Sequence, residues 1–458
     1  MGLLSYKINN SYAYFTNSVK GNSVIEMTYT KSNLDTSGAN APLLSDNMIP
    51  VYYDEASSAW KKADTTNTSK NYKWYDYNNK IWANAVTVTS ANRNTYLSAK
   101  AGIEISMNDI LTMQVWIPRY KYKIWNYNDD GTKTSNPQEI DITFETETST
   151  TGDITCTNTL SGNSDEPSET CKLDNQINCT NDLCNNKTYT HPSFTFKDKE
   201  LTGIWVGKYE TTGTIDKITV KPNLNSLVSE TISVFETKAM EMNNSGNIYG
   251  FLSTDIPHIA KNIDWGAVTY LSHSKYGRCT DETCSQTEAN NCTSQITGYG
   301  PSSSCIDNAN KYNGDKGKLA STTGNVYGVY DMSGGTNEYV MANVVAQGGH
   351  YMTPGSSGFG NTYPDAKYYD KYNYSTTSTS RTRGKLGDAT KEVLYTTYNN
   401  GTSWYNSDLY IPFSGYPWPT RGGAYYDESS NKLLSIFSSS FNKGTSYSNV
   451  SFRLVITQ

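Results

Sequence analysis

A chain of 458 residues is too long for one compact core, so two or three domains are expected. Its net charge of −6, with no basic run, disfavours binding nucleic acid through phosphates. Charged residues are sparse at 18%, Tyr reaches 37 copies, and the polarity lies in Asn, Thr, Ser and Gly; this composition favours strands and loops over long helices.

The chain opens Met1-Gly-Leu-Leu-Ser-Tyr-Lys-Ile-Asn-Asn10, an apolar run too short for a signal-peptide core or a membrane span. No later segment is apolar for long enough to insert in a membrane. Export is therefore expected either to need no encoded signal, as in a virus particle released by lysis, or to use one absent from this chain.

Residues 1–105 read as a small β-rich attachment or spacer module. Short strands are expected at Tyr12-Ala-Tyr-Phe15, Ser23–Tyr29, Ile49–Tyr53, Trp60, Trp74–Tyr77 and Ile81–Val86, with Asn, Ser, Thr and Lys turns between them. The Tyr and Trp residues between Tyr52 and Trp82 could stack on sugars, but core packing is their commoner role in a small sheet.

Residues 106–458 read as one larger domain. Alternation at Ile110–Trp125 and Glu139–Glu145 indicates strands, as do Phe194-Thr-Phe196 and Gly203–Tyr209. Helices are expected over Ser226–Met242 and over His258–Tyr270, where Ile259, Ile263, Ala267 and Leu271 recur at steps of four. Two helices among many short strands and long loops make the fold class α+β.

Polar insertions at 146–187 and 278–305 carry all eight cysteines. Pairing in sequence order gives Cys156–Cys171, Cys179–Cys184, Cys279–Cys284 and Cys292–Cys305, each stapling a short polar loop, as in an extracellular protein. Zinc is the rival reading. It is disfavoured because no Cys-x2-Cys unit occurs and His191, His258, His273 and His350 are scattered.

Near the C-terminus, the stretch from Arg421 to Asn449 holds eight Ser, three Tyr, three Asn and two Phe with no repeat period. Glycines follow Arg421, and Val450–Ile456 reads as a buried strand. Tyr and Phe bring large contact area with few rotors, and Ser and Asn bring adaptable hydrogen bonding, so this loop reads as a binding surface rather than a plain Ser-rich loop. The candidate ligand-binding residues are Tyr425, Tyr426, Asp427, Ser429, Ser430, Asn431 and Ser435, followed by Phe437, Ser439, Phe441, Asn442, Ser446, Tyr447 and Asn449. Among the aromatics, Phe437 is the one most suited to face inward, beside Leu433, Leu434 and Ile436.

Five segments, in order, resemble the formylglycine-generating-enzyme-like family. Trp205-Val-Gly-Lys-Tyr-Glu-Thr-Thr212 resembles its "IDKYEVT" strand, and Asp264-Trp265 its "EAEWEYA" helix. Asn325–Val340 resembles "GLYDMSGNVWEWV", Thr420-Arg-Gly-Gly-Ala424 resembles "LRGGSW", and Ser451-Phe-Arg-Leu-Val455 resembles "GFRLV". The resemblance spans roughly residues 108–458 and implies a C-type-lectin-like fold with long loops over one face.

In that family, catalytic members use a cysteine pair soon after "RGG" to handle copper and oxygen. Here no cysteine follows Cys305, so an enzyme is not expected and no catalytic residue is assigned. The resemblance also admits a calcium ion near the "GNVWEW" segment, with Asp331 and Glu338 as oxygen donors; turn and strand-edge hydrogen bonding is their plainer role, and Gly335 replaces the family's asparagine. No other cofactor is expected.

The same fold occurs in the variable proteins of diversity-generating retroelements, whose diversified ligand surface lies between "RGG" and "FR". The expected function is therefore non-enzymatic recognition of a host-surface protein or glycan by a phage tail-tip or fibre protein, displayed on the virion or outside the cell. A bacterial surface adhesin and a virion decoration protein are the alternatives. Homo-oligomerisation and contacts with other virion or appendage subunits are expected as well, because displayed binders profit from multivalency.

Overall fold

The computed structural model describes residues 6–8, 11–13, 33–127, 136–160, 167–180, 182–302, 305, 307–344, 355–360, 364–378, 384–393, 404–425 and 434–458. Its centre is the strand Ile110–Pro118, buried along all nine residues. Neither face of this run (Ile-Leu-Thr-Met-Gln-Val-Trp-Ile-Pro) is left to water, which its near-continuous apolar character anticipates.

Around it lies a seven-stranded sheet. Its order is Ile256–Ile259, Leu454–Thr457, Gly203–Gly207, Ile110–Pro118, Asn84–Val88, Ile49–Asp54 and Ala59–Lys62. Every neighbouring pair is antiparallel. Trp205 lies opposite Trp116, their rings 5.2 Å apart. Gly203 sits where the Trp116 indole crosses the partner strand, and any Cβ there would collide with that ring.

The sheet corrects the expected domain division. Asn84–Val88 pairs with Ile110–Val115 across the boundary placed near residue 105. Residues from Met48 to Trp82 share one core with Trp116, Trp205 and Phe452. The N-terminal aromatics are therefore core, as their commoner role suggested: Trp60, Trp74, Tyr75, Tyr77 and Trp82 are all buried. Trp74–Tyr77 is not a strand but lies between the short 3-10 turns Lys70–Tyr72 and Tyr77–Asn79. Of the earliest expected strands, Ser11–Ala13 pairs with Tyr6–Ile8, and Ser23–Tyr29 lies outside the described residues.

The first cysteine-bearing insertion joins a six-stranded sheet ordered Ile177–Asn178, Pro167–Leu173, Ile154–Leu160, Thr188–Thr190, Tyr120–Lys123 and Ile142–Phe144. Cys156 and Cys171 face each other across its hairpin, and Cys279 and Cys284 do so in the second insertion. All four disulfides follow the sequential pairing, and no cysteine is free. Such short-range staples fit an oxidising environment.

The chain is thus sheet-rich with few helices, in the α+β class. Helix α1, Ser90–Ser98, has no buried residue and no apolar stripe, so no hydrophobic period announces it. Helix α2 is Ile232–Met240, capped by the Thr231 hydroxyl, which accepts from the Val234 N–H. Helix α3 is Asn262–Ser272, with every residue buried. It starts later than its expected His258, because Ile256–Ile259 is taken up as the edge of the large sheet. No helix among the described residues is long and apolar enough to cross a membrane.

Glu236 of α2 accepts the Ile259 N–H, and burial pushes its carboxyl up to about 8 from an ordinary 4.5. A group that holds its proton more tightly when folded contributes stability that is lost as pH rises from about 4.5 through about 8. Glu236→Gln removes this titration. In thermal unfolding the variant should gain on the parent between pH 6 and pH 9, and be the more stable at pH 9.

Candidate functional site

The stretch Val450–Ile456 is expected as one strand, but Arg453 divides it. Val450–Phe452 runs parallel to Asn337–Tyr339 in a four-stranded C-terminal sheet, while Leu454–Thr457 joins the large sheet. The C-terminal sheet is ordered Ser439–Asn442, Trp418–Arg421, Asn337–Tyr339 and Val450–Phe452. Arg421 lies opposite both Glu338 and Ser439, its neighbours on either side.

Arg453 is buried and donates to the Gly207 and Tyr330 carbonyls, each at 2.9 Å, and to the Glu338 carboxylate. Glu338 is one of three carboxyls gathered there. Glu210 accepts from the Thr336 N–H at 2.8 Å and from the Ser226 hydroxyl. Asp331 accepts from Asn290 Nδ2 at 2.8 Å and the Gly298 N–H at 2.9 Å. Burial pushes Glu338 up to about 7, partly offset by Arg453, and burial also raises Glu210 and Asp331.

These residues do not fit a calcium ion. Calcium asks for six to eight oxygen ligands. Here the oxygens of Glu210 and Asp331 accept N–H and O–H donors, and Arg453 supplies the compensating charge. Gly335, at φ +74°, leaves no room for an asparagine, since a Cβ would collide with the Glu210 carboxylate. Asp331 and Glu338 are hydrogen-bonding anchors, the plainer of their two expected roles.

The other places where candidate metal ligands converge are His273 with Cys279 and Cys284, and Glu169 with Cys156 and Cys171. Both use disulfide sulfurs, which offer no thiolate. His191, His258 and His273 are buried within ring clusters, and burial holds them neutral, with pKa values near 3, 4 and 4. His350 lies outside the described residues.

The expected binding residues divide by position. Tyr426, Asp427, Ser429, Ser430 and Asn431 lie outside the described residues. Ser435, Phe437 and Ser439 are buried and offer a ligand nothing. Phe437 packs against Trp404 at 5.1 Å and His273 at 5.4 Å. The Ile436 carbonyl beside it accepts from the Trp265 indole of α3 at 2.8 Å. The serines serve the backbone: Ser435 Oγ accepts the Phe437 N–H, Ser438 Oγ accepts the Ser435 N–H, and Ser439 Oγ donates to the Tyr410 carbonyl.

Other candidates reach the surface. Ser446 and Tyr447 are exposed, and Tyr425, Phe441, Asn442 and Asn449 are half-buried. Asn442 Oδ1 is engaged, accepting from the Tyr339 hydroxyl at 3.0 Å. Phe441 lies at the centre of an aromatic cluster with Phe413 at 5.1 Å, Tyr416 at 5.2 Å and Tyr410 at 5.4 Å. Lys443 Nζ sits 5.1 Å from the Tyr416 ring centre. Tyr416 is 38% exposed.

Tyr410, Phe413, Tyr416 and Lys443 escape the sequence reading. The signal available was two aromatics flanking the Ser414-Gly415 turn, which Phe413 and Tyr416 close by exchanging backbone hydrogen bonds. The cluster combines large aromatic faces with a cation at its rim, a chemistry suited to binding sugars or peptide side chains.

No family model and no curated protein matches this sequence.

Two stability measurements separate scaffold from surface. Phe437→Ala should cost about 3–5 kcal/mol in denaturant unfolding, whereas Tyr447→Ala should stay within about 0.5 kcal/mol. Arg453→Met, which strands the buried Glu338 carboxylate, should cost about 3–5 kcal/mol by the same measurement.

Proposed function

We propose that this protein is a non-enzymatic recognition protein, a phage tail-tip or fibre subunit that binds a host-surface protein or glycan through its C-terminal aromatic face. The observation that carries the reading is the surface cluster around Phe441, with exposed Tyr416; Ser446 and Tyr447, a few residues further along the chain, are exposed as well. Exposed aromatics grouped on a rigid sheet resemble the anchors of binding surfaces.

The scaffold is read as C-type-lectin-like, and the meeting of the five resembling segments supports this. Glu338 pairs with Arg421 and Ser451, Arg453 donates to the Gly207 carbonyl, and the guanidiniums of Arg421 and Arg453 each lie 5.8 Å from the Trp265 ring centre. Segments scattered over 250 residues of sequence thus share one centre, as one fold with those signatures requires. The oxidase chemistry of the related enzymes finds no support, since all eight cysteines are bound in disulfides.

The test uses fluorescently labelled full-length protein and flow cytometry on a panel of bacterial species. The double variant Tyr416→Ala/Tyr447→Ala should lose at least tenfold in binding to the cells the parent labels, with the melting temperature within about 2 °C of the parent. Undiminished labelling by the variant would remove the aromatic face as the recognition surface.

A further inference from the structure

A second site stands apart from the aromatic face. An open cleft of about 660 Å3 lies between the first disulfide-bearing hairpin and the segment Asp365–Lys371, and none of its lining residues belongs to the C-terminal patch. That volume falls within the roughly 300–1,000 Å3 of small-ligand sites.

Five lysines line it: Lys197, Lys261, Lys367, Lys371 and Lys385. They come from four separate stretches of sequence, so no local charge run brings them together. Four of them sit beside aromatic rings. Lys261 and Lys367 Nζ both lie within 6 Å of the buried Phe196 ring, at 5.6 and 5.7 Å. Lys371 sits 5.5 Å from the Tyr369 ring centre and Lys385 5.7 Å from that of Tyr372. Burial, and then the charge of Lys385, hold the Lys371 ammonium below its usual range, so these cations crowd one another.

Three acids also line the cleft, and one of them, Asp370, offsets part of the charge of Lys261 and Lys385. Glu200 bonds Arg119 at 2.7 Å behind the wall, Asp365 accepts the Lys367 N–H at 3.2 Å, and Asp370 accepts the Ile263 N–H at 2.9 Å. Five lysines against three acids still leave the lining cationic in a chain whose net charge is −6. A concave, cation-lined wall focuses positive potential and draws anions. Thr155 adds a hydroxyl and Tyr189 an aromatic edge in the same wall, while the hydroxyls of Thr150, Thr190 and Thr195 are bonded to Arg119, Glu145 and Glu200.

The geometry points to this cleft as a binding site for an acidic saccharide, one to three sugars long and bearing carboxylate or sulfate groups. Lysine ammoniums meet the anionic groups, while Thr155 and Tyr189 meet the sugar ring and its hydroxyls. The site extends the recognition reading but shares no residue with the aromatic face, so the two fail independently.

Isothermal titration of the full-length protein with a heparin-derived tetrasaccharide, 3′-sialyllactose and neutral lactose tests it. At least one acidic sugar should bind, and lactose should not; which acid binds distinguishes sulfate from carboxylate recognition. Lys371→Gln/Lys385→Gln should weaken binding at least tenfold, and Lys371→Arg/Lys385→Arg should retain most of it. The more exposed pair Lys197→Gln/Lys367→Gln serves as a second variant should the first fail to fold, again with a tenfold loss expected. Raising salt from 50 to 500 mM should weaken the parent. Tyr416→Ala should leave this affinity unchanged. Failure of both acidic sugars to bind, equal binding of lactose, or full affinity in a folded Gln variant would overturn the assignment.

Discussion

One buried guanidinium sets the geometry on which the rest of the molecule depends. Arg453 stands where the last apolar run of the chain passes from the C-terminal sheet to the large sheet, and its donors reach Gly207, Tyr330 and Glu338 in three different segments. A buried charge is tolerated when it is paired, and here the two terminal nitrogens meet a carboxylate and two carbonyls that a hydrophobic residue could not hold. The carboxyls of Glu210 and Asp331 are raised by the same burial and are held by amide and hydroxyl donors. Polar residues in this region are therefore internal fastenings, which is why they look like a metal site in sequence and do not form one.

The same constraint explains the C-terminal segment. Once Trp418–Arg421 is paired on one side with Glu338–Tyr339, its other edge is open, and Ser439–Asn442 closes it. Serines in that strand and in the turn before it must then satisfy backbone groups that water cannot reach. The surface chemistry shifts to the residues that remain outside: Phe441, Tyr416, Phe413, Tyr410 and the exposed turn at Ser446–Tyr447. A surface cluster built on a paired strand has its shape set by the backbone pairing beneath it.

The disulfides act at a different level. Cys156–Cys171 and Cys279–Cys284 each close a hairpin whose strands already face one another, so they hold local polar segments that could not bury much apolar area on their own. The first of these hairpins also forms part of the wall of the lysine cleft through Ile154–Cys156.

The sequence alone was enough for the features that depend on local chemistry. Alternation marked the strand at Ile110–Pro118, and strand-forming residues between turn signals marked Ile49–Asp54 and Gly203–Gly207; close spacing in two clusters paired the cysteines; and steps of four marked α3. Partners distant in the chain were beyond its reach. A period of two cannot say which sheet a strand joins, so Asn84–Val88 looked like the end of a separate module until its pairing with Ile110–Val115 was seen. Composition cannot say which way a serine or phenylalanine points, so Ser435, Phe437 and Ser439 looked like binding residues although packing against Trp404, His273 and Tyr410 turns them inward. The lysine cleft and the aromatic cluster were invisible for the same reason: each gathers side chains from separated segments, and only the closed chain sets the distances between them.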